Sequence, residues 1–146
     1  EAIIKPFDGG AYTVKLSDFR NGNYSENMLP NAPAIVQEKL IYPEYRVYRI
    51  GYSYFAFLLE SPDLDYRENQ QRLTTRHITA PAEYTGPMAA LTDTMGLDYA
   101  AADLKTCPKT GQVKFLEINT LPYFAGFDLK TQGQMGRTLL SYLMQA

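Results

Sequence analysis

The sequence Phe115-Leu116-Glu117-Ile118-Asn119-Thr120 decides the predicted fold, because a carboxylate and a carboxamide interrupt an otherwise apolar strand. Glu117 and Asn119 are two residues apart, a spacing that places both side chains on one face of a β-strand. A second strand candidate with one acid occupies residues 99–104, and the turn-forming residues Pro108-Lys109-Thr110-Gly111 lie between the two strands. The segment therefore predicts an antiparallel hairpin.

The register of this hairpin decides which polar side chains meet. If Cys107 pairs with Val113 around the turn, Asp103 falls directly opposite Glu117. The two carboxylates and the nearby carboxamide then present oxygen atoms from one face of the ribbon, and such donors suit Mg²⁺. We therefore predict a magnesium site on the hairpin. The alternative is a solvated sheet edge, where an acid within a half-exposed strand is common.

Length, charge and cysteine content narrow the possible classes of protein. A chain of 146 residues has the size of one domain, and its net charge of −2 provides no basic field, so nucleic acid is not an expected partner. No apolar run reaches the length of a membrane span, so no membrane partner is expected either. The single Cys107 excludes an internal disulfide and fits a cytoplasmic compartment. Because the chain opens without Met inside an apolar strand pattern, we expect a fragment or a processed chain.

Apolar alternation and turn signals predict the order of the remaining elements. The predicted order is a hairpin (2–4 and 11–16), a mobile loop (17–33) with a helical turn near 26–29, a strand (34–40), a linker (41–43), a second hairpin (44–50 and 54–60), a helix, the hairpin described above and a last helix from residue 134. Residues 70–80 carry little signal. This order predicts an α+β fold in which helices pack on one face of an antiparallel sheet.

The two longer helices are predicted from apolar spacing and from their end signals. The first begins at Pro87, or near Pro81 with a break before Pro87, and it ends at Gly96. Its predicted buried stripe comprises Met88, Leu91 and Met95. The predicted buried stripe of the last helix comprises Met135, Leu139, Tyr142 and Leu143.

The first hairpin contains a lysine that is followed closely by a glycine turn. Lys5 directly follows the first strand, and Gly9 and Gly10 form the turn after Pro6. Backbone N–H groups of such a turn, with a cation beside them, can cradle a phosphate. By itself the pattern is weak, because a Gly-Gly turn between two strands is usually only a turn, and no P-loop sequence is present.

Taken together, these motifs resemble the C-terminal two thirds of ATP-grasp ligases, of the RimK-like, glutathione-synthetase-like and D-alanine–D-alanine-ligase-like types. Six short motifs across residues 3–128 occur in the order that the family shows. They are Ile4-Lys5-Pro6 with its glycine turn, Val36-Gln37-Glu38-Lys39-Leu40, Glu44-Tyr45-Arg46-Val47, Asp65-Tyr66-Arg67-Glu68-Asn69, Gly96-Leu97-Asp98-Tyr99-Ala100, and Phe115-Leu116-Glu117-Ile118-Asn119 with Pro122.

The resemblance implies a set of nucleotide-binding residues. Lys5 would reach the α and β phosphates as a point charge, and the turn of Gly9 and Gly10 would close over the triphosphate. Glu38 would begin the hinge that faces adenine, and the backbone of the next two residues would read its amino edge. Glu44 would bind the ribose hydroxyls. The implied nucleotide-binding set is Lys5, Gly9, Gly10, Glu38, Lys39, Leu40 and Glu44.

The resemblance also implies metal-binding and catalytic residues. Asp103, Glu117 and Asn119 match the trio that holds two Mg²⁺ ions between the phosphates, with Mn²⁺ as an alternative metal. Three further residues stand where the RimK-like members contact the γ-phosphate or the acyl phosphate. These three residues are Arg46, Arg67 and Asn69.

The implied reaction is ATP-dependent carboxylate–amine ligation through an acyl phosphate, with small-molecule or peptide carboxylate and amine substrates. The implied architecture places the nucleotide between a small subdomain (1–42) and a large subdomain (43–146). The family's N-terminal domain is missing from the chain, so we expect part of the substrate site to come from that domain or from a homo-oligomer. Two alternatives stay open: a nucleotide-binding module without turnover, and a small-molecule kinase of the same fold.

Overall fold

The computed structural model describes residues 1–6, 13–22, 33–66 and 69–145, which divide into two compact units. The first unit comprises residues 1–41 and 61–73, and the second comprises residues 42–60 and 74–146. The strands are β1 (Ala2–Pro6), β2 (Val14–Lys15), β3 (Ala34–Glu38), β4 (Ile41–Ile50), β5 (Ser53–Glu60), β6 (Thr74–Ile78), β7 (Tyr99–Thr106) and β8 (Val113–Asn119). The helices are α1 (Leu16–Arg20), α2 (Ala82–Met95), α3 (Ala125–Lys130) and α4 (Gln134–Leu143).

The first unit contains a three-stranded antiparallel sheet in the order β2-β1-β3. Ile3 and Ile4 of the central strand are buried, as their apolar character predicts. The predicted hairpin is present as β1 and β2, and α1 follows β2 at once, so the start of the expected loop is helical. The predicted helical turn near 26–29 lies outside the described residues. Residues 61–73 also belong to this unit and include a 3-10 turn, Gln70–Arg72.

The second unit contains a five-stranded sheet in the order β6-β5-β4-β7-β8. One face of this sheet packs against α2 and forms the hydrophobic core. Val47 of β4 and Ala102 of β7 are fully buried there beneath Tyr84 and Met88 of the helix. This face is apolar because alternate residues of each strand point to the same side. The α+β class with antiparallel strand pairs is therefore confirmed.

The opposite face of the five-stranded sheet carries aromatic and charged side chains. Phe127 of α3 packs here against Tyr48 and Phe57, with ring centroids 5.5 and 4.9 Å apart. The helices therefore cover both faces of this sheet, α2 on one and α3 on the other, whereas the prediction placed them on one face. The helix α3 itself was not predicted, because six residues are too few for an apolar period to be recognised.

The hairpin of β7 and β8 has the predicted pairing of Asp103 with Glu117 but not the predicted loop. Val113 pairs with Thr106 rather than with Cys107, so the connection is one residue longer at its start. A β-bulge then leaves Leu116 as an extra residue between the partners of Leu104 and Asp103. The bulge compensates for the longer loop and returns the two carboxylates to opposite positions.

Several other boundaries differ from the predictions. Residues 41–43 are not a linker but the start of β4, and residues 74–78 form the unpredicted strand β6, which pairs with β5. The helix α2 runs without a break from Ala82, with Pro87 inside it. Gly96 ends it in the left-handed conformation, as predicted (φ 66°).

The buried residues of α2 and α4 also differ from the predicted ones. In α2 the buried residues are Tyr84, Met88 and Thr92 at a spacing of four, whereas Leu91 and Met95 are 45% and 48% exposed. The guanidinium of Arg49 reaches Thr92 from β4, so this part of the packed face is polar. In α4 the stripe is correct for Met135, which is fully buried, but wrong for Leu143, which is 63% exposed. No helix among the described residues is long and apolar enough to cross a membrane.

We predict that Gly51→Ala lowers the free energy of unfolding by about 2–4 kcal/mol. Gly51 has φ 56°, and a Cβ at this position would lie 2.7 Å from the Tyr142 ring of α4. Gly111→Ala is the matched control, because Gly111 has φ 70° but open space around it, and it should cost about 1 kcal/mol. Urea unfolding of both variants measures the difference. Equal losses would show that the Tyr142 ring moves aside without cost.

Candidate functional site

A cluster of hydrogen-bonded polar side chains lies on the face of the five-stranded sheet opposite α2. Arg46 of β4 places Nη1 at 3.1 and 3.2 Å from the two carboxylate oxygens of Asp103 on β7. Asn119 of β8 donates a hydrogen bond from Nδ2 to Asp103 Oδ2 at 3.1 Å. Three neighbouring strands thus bring the predicted catalytic Arg46 and two of the predicted metal ligands into one cluster, with Asp103 at its centre.

Burial makes the Asp103 carboxylate unusual. The side chains of Arg46 and Asp103 are only 11% and 10% exposed. The pKa of Asp103 is raised to about 6, with desolvation as the largest cause and the nearby carboxylates of Glu44 and Glu117 acting in the same direction. The Arg46 guanidinium and the Asn119 amide act in the opposite direction, because both favour the ionised carboxylate. A second cation beside Asp103 would therefore be electrostatically favourable.

Glu117, the third predicted metal ligand, lies beside this cluster. It stands opposite Asp103 in the ladder, and its side chain is exposed to solvent. Two carboxylates and a carboxamide on one sheet face form a donor set that fits Mg²⁺, which binds few protein oxygens and keeps its other positions for water or phosphate. Within the part of the chain that the structure describes, no group of three or more His, Cys, Asp or Glu side chains is arranged to hold a metal ion. A metal ion bound here would consequently need Asn119 and a ligand that supplies further oxygens.

Glu44, the predicted ribose-binding acid, is also on this sheet face, at the start of β4. It is 6% exposed, and its Oε2 lies 3.1 Å from the Nζ of Lys105 on β7. The same ammonium group lies 4.1 Å from the centre of the Tyr42 ring. Lys105 was not singled out from the sequence. Its spacing of two from Asp103 was the available signal, because that spacing places both side chains on one face of β7.

Tyr48 is a second residue that the sequence did not single out. Its hydroxyl accepts a hydrogen bond from Arg46 Nε at 3.0 Å and donates one to the Tyr123 carbonyl at 2.6 Å. Desolvation raises the pKa of this hydroxyl far above its usual value, so it remains protonated at neutral pH. Strand alternation places Tyr48 on the face of Arg46, but the loop carbonyl lies 75 residues away in sequence.

The first unit holds the predicted phosphate and adenine residues. Lys5 pairs with Ile35 in the sheet and is partly exposed, and Glu38 pairs with Ala2 and is exposed. Strand alternation places Lys5 and Glu38 on opposite faces of this sheet. The described segment therefore does not bring these two side chains together.

The two hinge residues that follow β3 are held in place by contacts within the first unit. Lys39 donates a backbone hydrogen bond to the Glu1 carbonyl at 3.0 Å, and its Nζ lies 2.8 Å from Glu1 Oε2. Leu40 is 8% exposed, so its side chain is part of the core. These contacts fix the backbone that the resemblance assigns to adenine recognition.

The four remaining predicted site residues belong to the glycine turn and to the 65–69 motif. Asn69 is exposed, and its carbonyl accepts a hydrogen bond from the Arg72 backbone at 3.1 Å. Gly9, Gly10 and Arg67 lie outside the described residues.

The structure is similar to solved ATP-grasp ligases over nearly its whole length. Against the ligase PsnB complexed with a minimal precursor, the identity is 26%, the TM-score is 0.69, and the match covers 97% of this chain and 48% of that chain. A RiPP-associated ATP-grasp ligase from Chryseobacterium gregarium, solved with ADP and with a leader and core peptide, gives a TM-score of 0.76 at 19% identity, covering 99% and 48% of the two chains. D-alanine–D-alanine ligase from Bacillus anthracis with ATP gives 0.62 at 20% identity, covering 99% and 51%.

The chain spans about half the length of these ligases. At identities of 19% and 20% the second and third similarities establish the fold alone. No protein-family model matches the chain, and no curated protein sequence matches it.

We predict that Arg46→Met destabilises the second unit by about 3 kcal/mol, because it leaves the buried Asp103 carboxylate without its guanidinium. Adding Asp103→Asn should recover most of this loss, with a coupling free energy of about 2 kcal/mol in the double-mutant cycle. Lys114→Met, an exposed change on β8, is the control and should stay within about 0.5 kcal/mol. Chemical denaturation measures all four variants. Additive effects of the two cluster substitutions would contradict the assigned ion pair.

Proposed function

We propose that this chain, which has the fold of the ATP-grasp ligases, is the nucleotide- and metal-binding part of an ATP-dependent carboxylate–amine ligase. The observation that carries this proposal is the cluster of Arg46, Asp103 and Asn119, with Glu117 beside it on the same sheet face. A buried carboxylate that is already paired with a guanidinium has no evident structural need for a second acid next to it. The arrangement suits a site that receives both a divalent cation and phosphate oxygens.

The proposed reaction requires the protein to position the reacting groups and to neutralise charge, and it requires no side-chain nucleophile. A substrate carboxylate attacks the γ-phosphorus of ATP, the bond to the bridging oxygen of ADP breaks, and an acyl phosphate forms. An amine then attacks the acyl carbon, loses a proton, and releases inorganic phosphate as the amide forms. Bound Mg²⁺ would neutralise phosphate charge during the first transfer. Arg46, with Arg67 and Asn69, would hold the transferred phosphoryl group.

The proposed nucleotide-binding roles are those that the sequence resemblance implies. Lys5 would bind the α and β phosphates, and the glycine turn would cover the triphosphate. The backbone after Glu38 would recognise adenine. Glu44, held by Lys105 at 3.1 Å, would accept hydrogen bonds from the ribose hydroxyls. Ribose recognition suits a carboxylate whose orientation is fixed by a buried ammonium partner.

The most informative structural neighbour supports a peptide as the carboxylate substrate. PsnB, at 26% identity, has been solved with a minimal precursor, and in another complex with the precursor peptide PsnA2 and AMPPNP. We accordingly propose that a carboxylate of a peptide is activated and that an amine is the acceptor. Because Cys107 is the single cysteine of the given sequence, no disulfide can form within it, which supports the proposal of a cytoplasmic location.

We predict that Mg²⁺ together with a non-hydrolysable ATP analogue raises the melting temperature of the chain. Ligand at about a hundred times its Kd adds roughly 2.7 kcal/mol to stability, which corresponds to a shift of about 5–10 °C for a chain of this size. Differential scanning calorimetry measures the shift, and the same analogue with EDTA is the control that removes the metal. No shift at saturating nucleotide would contradict the proposed function. A shift without ATP consumption in the presence of peptide substrate would favour a binding module without turnover.

We further predict that Glu117→Gln weakens the Mg²⁺-dependent binding of the analogue by about tenfold or more and leaves the fold intact, because Glu117 is exposed. Losing one charged oxygen donor removes attraction to the cation without creating a buried cavity. Glu60→Gln, an exposed acid at the end of β5, is the matched control and should bind as wild type does. Isothermal titration at several Mg²⁺ concentrations measures the affinities. Wild-type affinity in Glu117→Gln would exclude Glu117 as a metal ligand.

A further inference from the structure

The hydroxyl of Tyr48 joins the ion pair on β4 and β7 to the loop that follows β8. It accepts the hydrogen bond from Arg46 Nε at 3.0 Å and donates its own proton to the Tyr123 carbonyl at 2.6 Å. Tyr48 has no exposed surface, so water does not compete for either bond. Since a hydroxyl has a single proton to donate, the directions of both hydrogen bonds are fixed.

The ring of Tyr48 is held by its neighbours, so the hydroxyl has little freedom to move. Phe57 packs edge-on against it at 5.9 Å between centroids, and Phe127 packs against it at 5.5 Å. The guanidinium carbon of Arg46 lies 5.4 Å from the Tyr48 centroid and 5.5 Å from that of Phe127. Hydrogen bonds at Nε and at Nη1, together with these ring contacts, define the plane of the Arg46 guanidinium.

A second tyrosine anchors the same loop, but its hydroxyl is not hydrogen-bonded to Arg46. The Tyr99 hydroxyl donates to the Pro122 carbonyl at 2.9 Å, one residue before the carbonyl that Tyr48 binds. Beside these anchored carbonyls the loop exposes the side chains of Leu121 and Tyr123, which are 88% and 75% exposed. Tyr48 and Tyr99 therefore share the role of loop anchor, and the contact with Arg46 distinguishes them.

We propose that Tyr48 is a positioning residue that orients the Arg46 guanidinium toward the terminal phosphate of bound nucleotide and couples this orientation to the loop of residues 121–124. The inference rests on the proposed function and assigns a role within it. A guanidinium fixed at two nitrogens recognises phosphate oxygens in one direction and at low entropic cost. If the Nε bond is lost, Arg46 keeps its charge and its Asp103 partner but loses this fixed direction.

The test compares nucleotides with and without a γ-phosphate. Wild-type chain should bind Mg·AMPPNP more tightly than Mg·ADP in isothermal titration. Tyr48→Phe, which keeps the ring and removes only the hydroxyl, should reduce this preference by about 10- to 100-fold, the range expected for one hydrogen bond to a charged group. The affinity for Mg·ADP should stay within about threefold of wild type.

Tyr99→Phe is the matched control, because it removes a loop anchor of the same chemistry and leaves the Arg46 contact in place. It should keep the wild-type preference for Mg·AMPPNP. A readout independent of nucleotide is the hydrogen exchange of Arg46 Nε–H, followed by NMR. This proton should exchange faster in Tyr48→Phe than in wild type or Tyr99→Phe.

The outcomes separate this inference from the function on which it rests. Retained preference in Tyr48→Phe would overturn the positioning role, and so would equal losses in both tyrosine variants, which would indicate a loop effect only. A wild-type chain that binds both nucleotides equally would exclude Arg46 as a γ-phosphate contact while leaving nucleotide binding intact. A wild-type chain that binds neither nucleotide would overturn the proposed function and this inference with it.

Discussion

The buried ion pair between Arg46 and Asp103 is the interaction on which the polar face of the sheet depends. A carboxylate with only 10% of its side chain exposed is costly unless a charged partner and further hydrogen bonds compensate for lost hydration. Arg46 provides the charge, and Asn119 provides one more donor. Because these residues come from three neighbouring strands, satisfying the carboxylate also fixes how β4, β7 and β8 align.

Side chains alternate along each strand, so one face of the sheet forms the hydrophobic core and the other carries the candidate site. Odd positions of β4, such as Val47, pack under α2 in the hydrophobic core, whereas Glu44 and Arg46 face the other side. That other side is not purely polar, because α3 places Phe127 over Tyr48. The aromatic contacts exclude water from part of the cluster, which strengthens its electrostatic interactions. A rigid apolar layer thus supports charged groups that would otherwise be mobile.

Residues of the candidate site could be predicted from local spacing only where they lie in one short segment of the sequence. Asp103, Glu117 and Asn119 were recognisable because a hairpin brings residues of one short segment together. The ion pair between Asp103 and Arg46, which is 57 residues away in sequence, was not predicted, because no local pattern indicates it. Two further contacts were missed for the same reason. They are the ion pair of Lys105 with Glu44 and the hydrogen bond from the Tyr48 hydroxyl to the Tyr123 carbonyl.

The sequence by itself determined the α+β class and the strand pairs with two-residue alternation, because both follow from local periodicity and turn chemistry. The opposition of Asp103 and Glu117 was predicted from a loop that the structure does not have, and it depends on the bulge. Only the tertiary structure decided the bulge at Leu116, the strand β6, and the exposure of Leu143. These features depend on which surfaces the sheet and helices offer one another, and packing between distant segments overrides local preference. The environment of Asp103 belongs to this second group, since its burial arises from strands that are far apart in the chain.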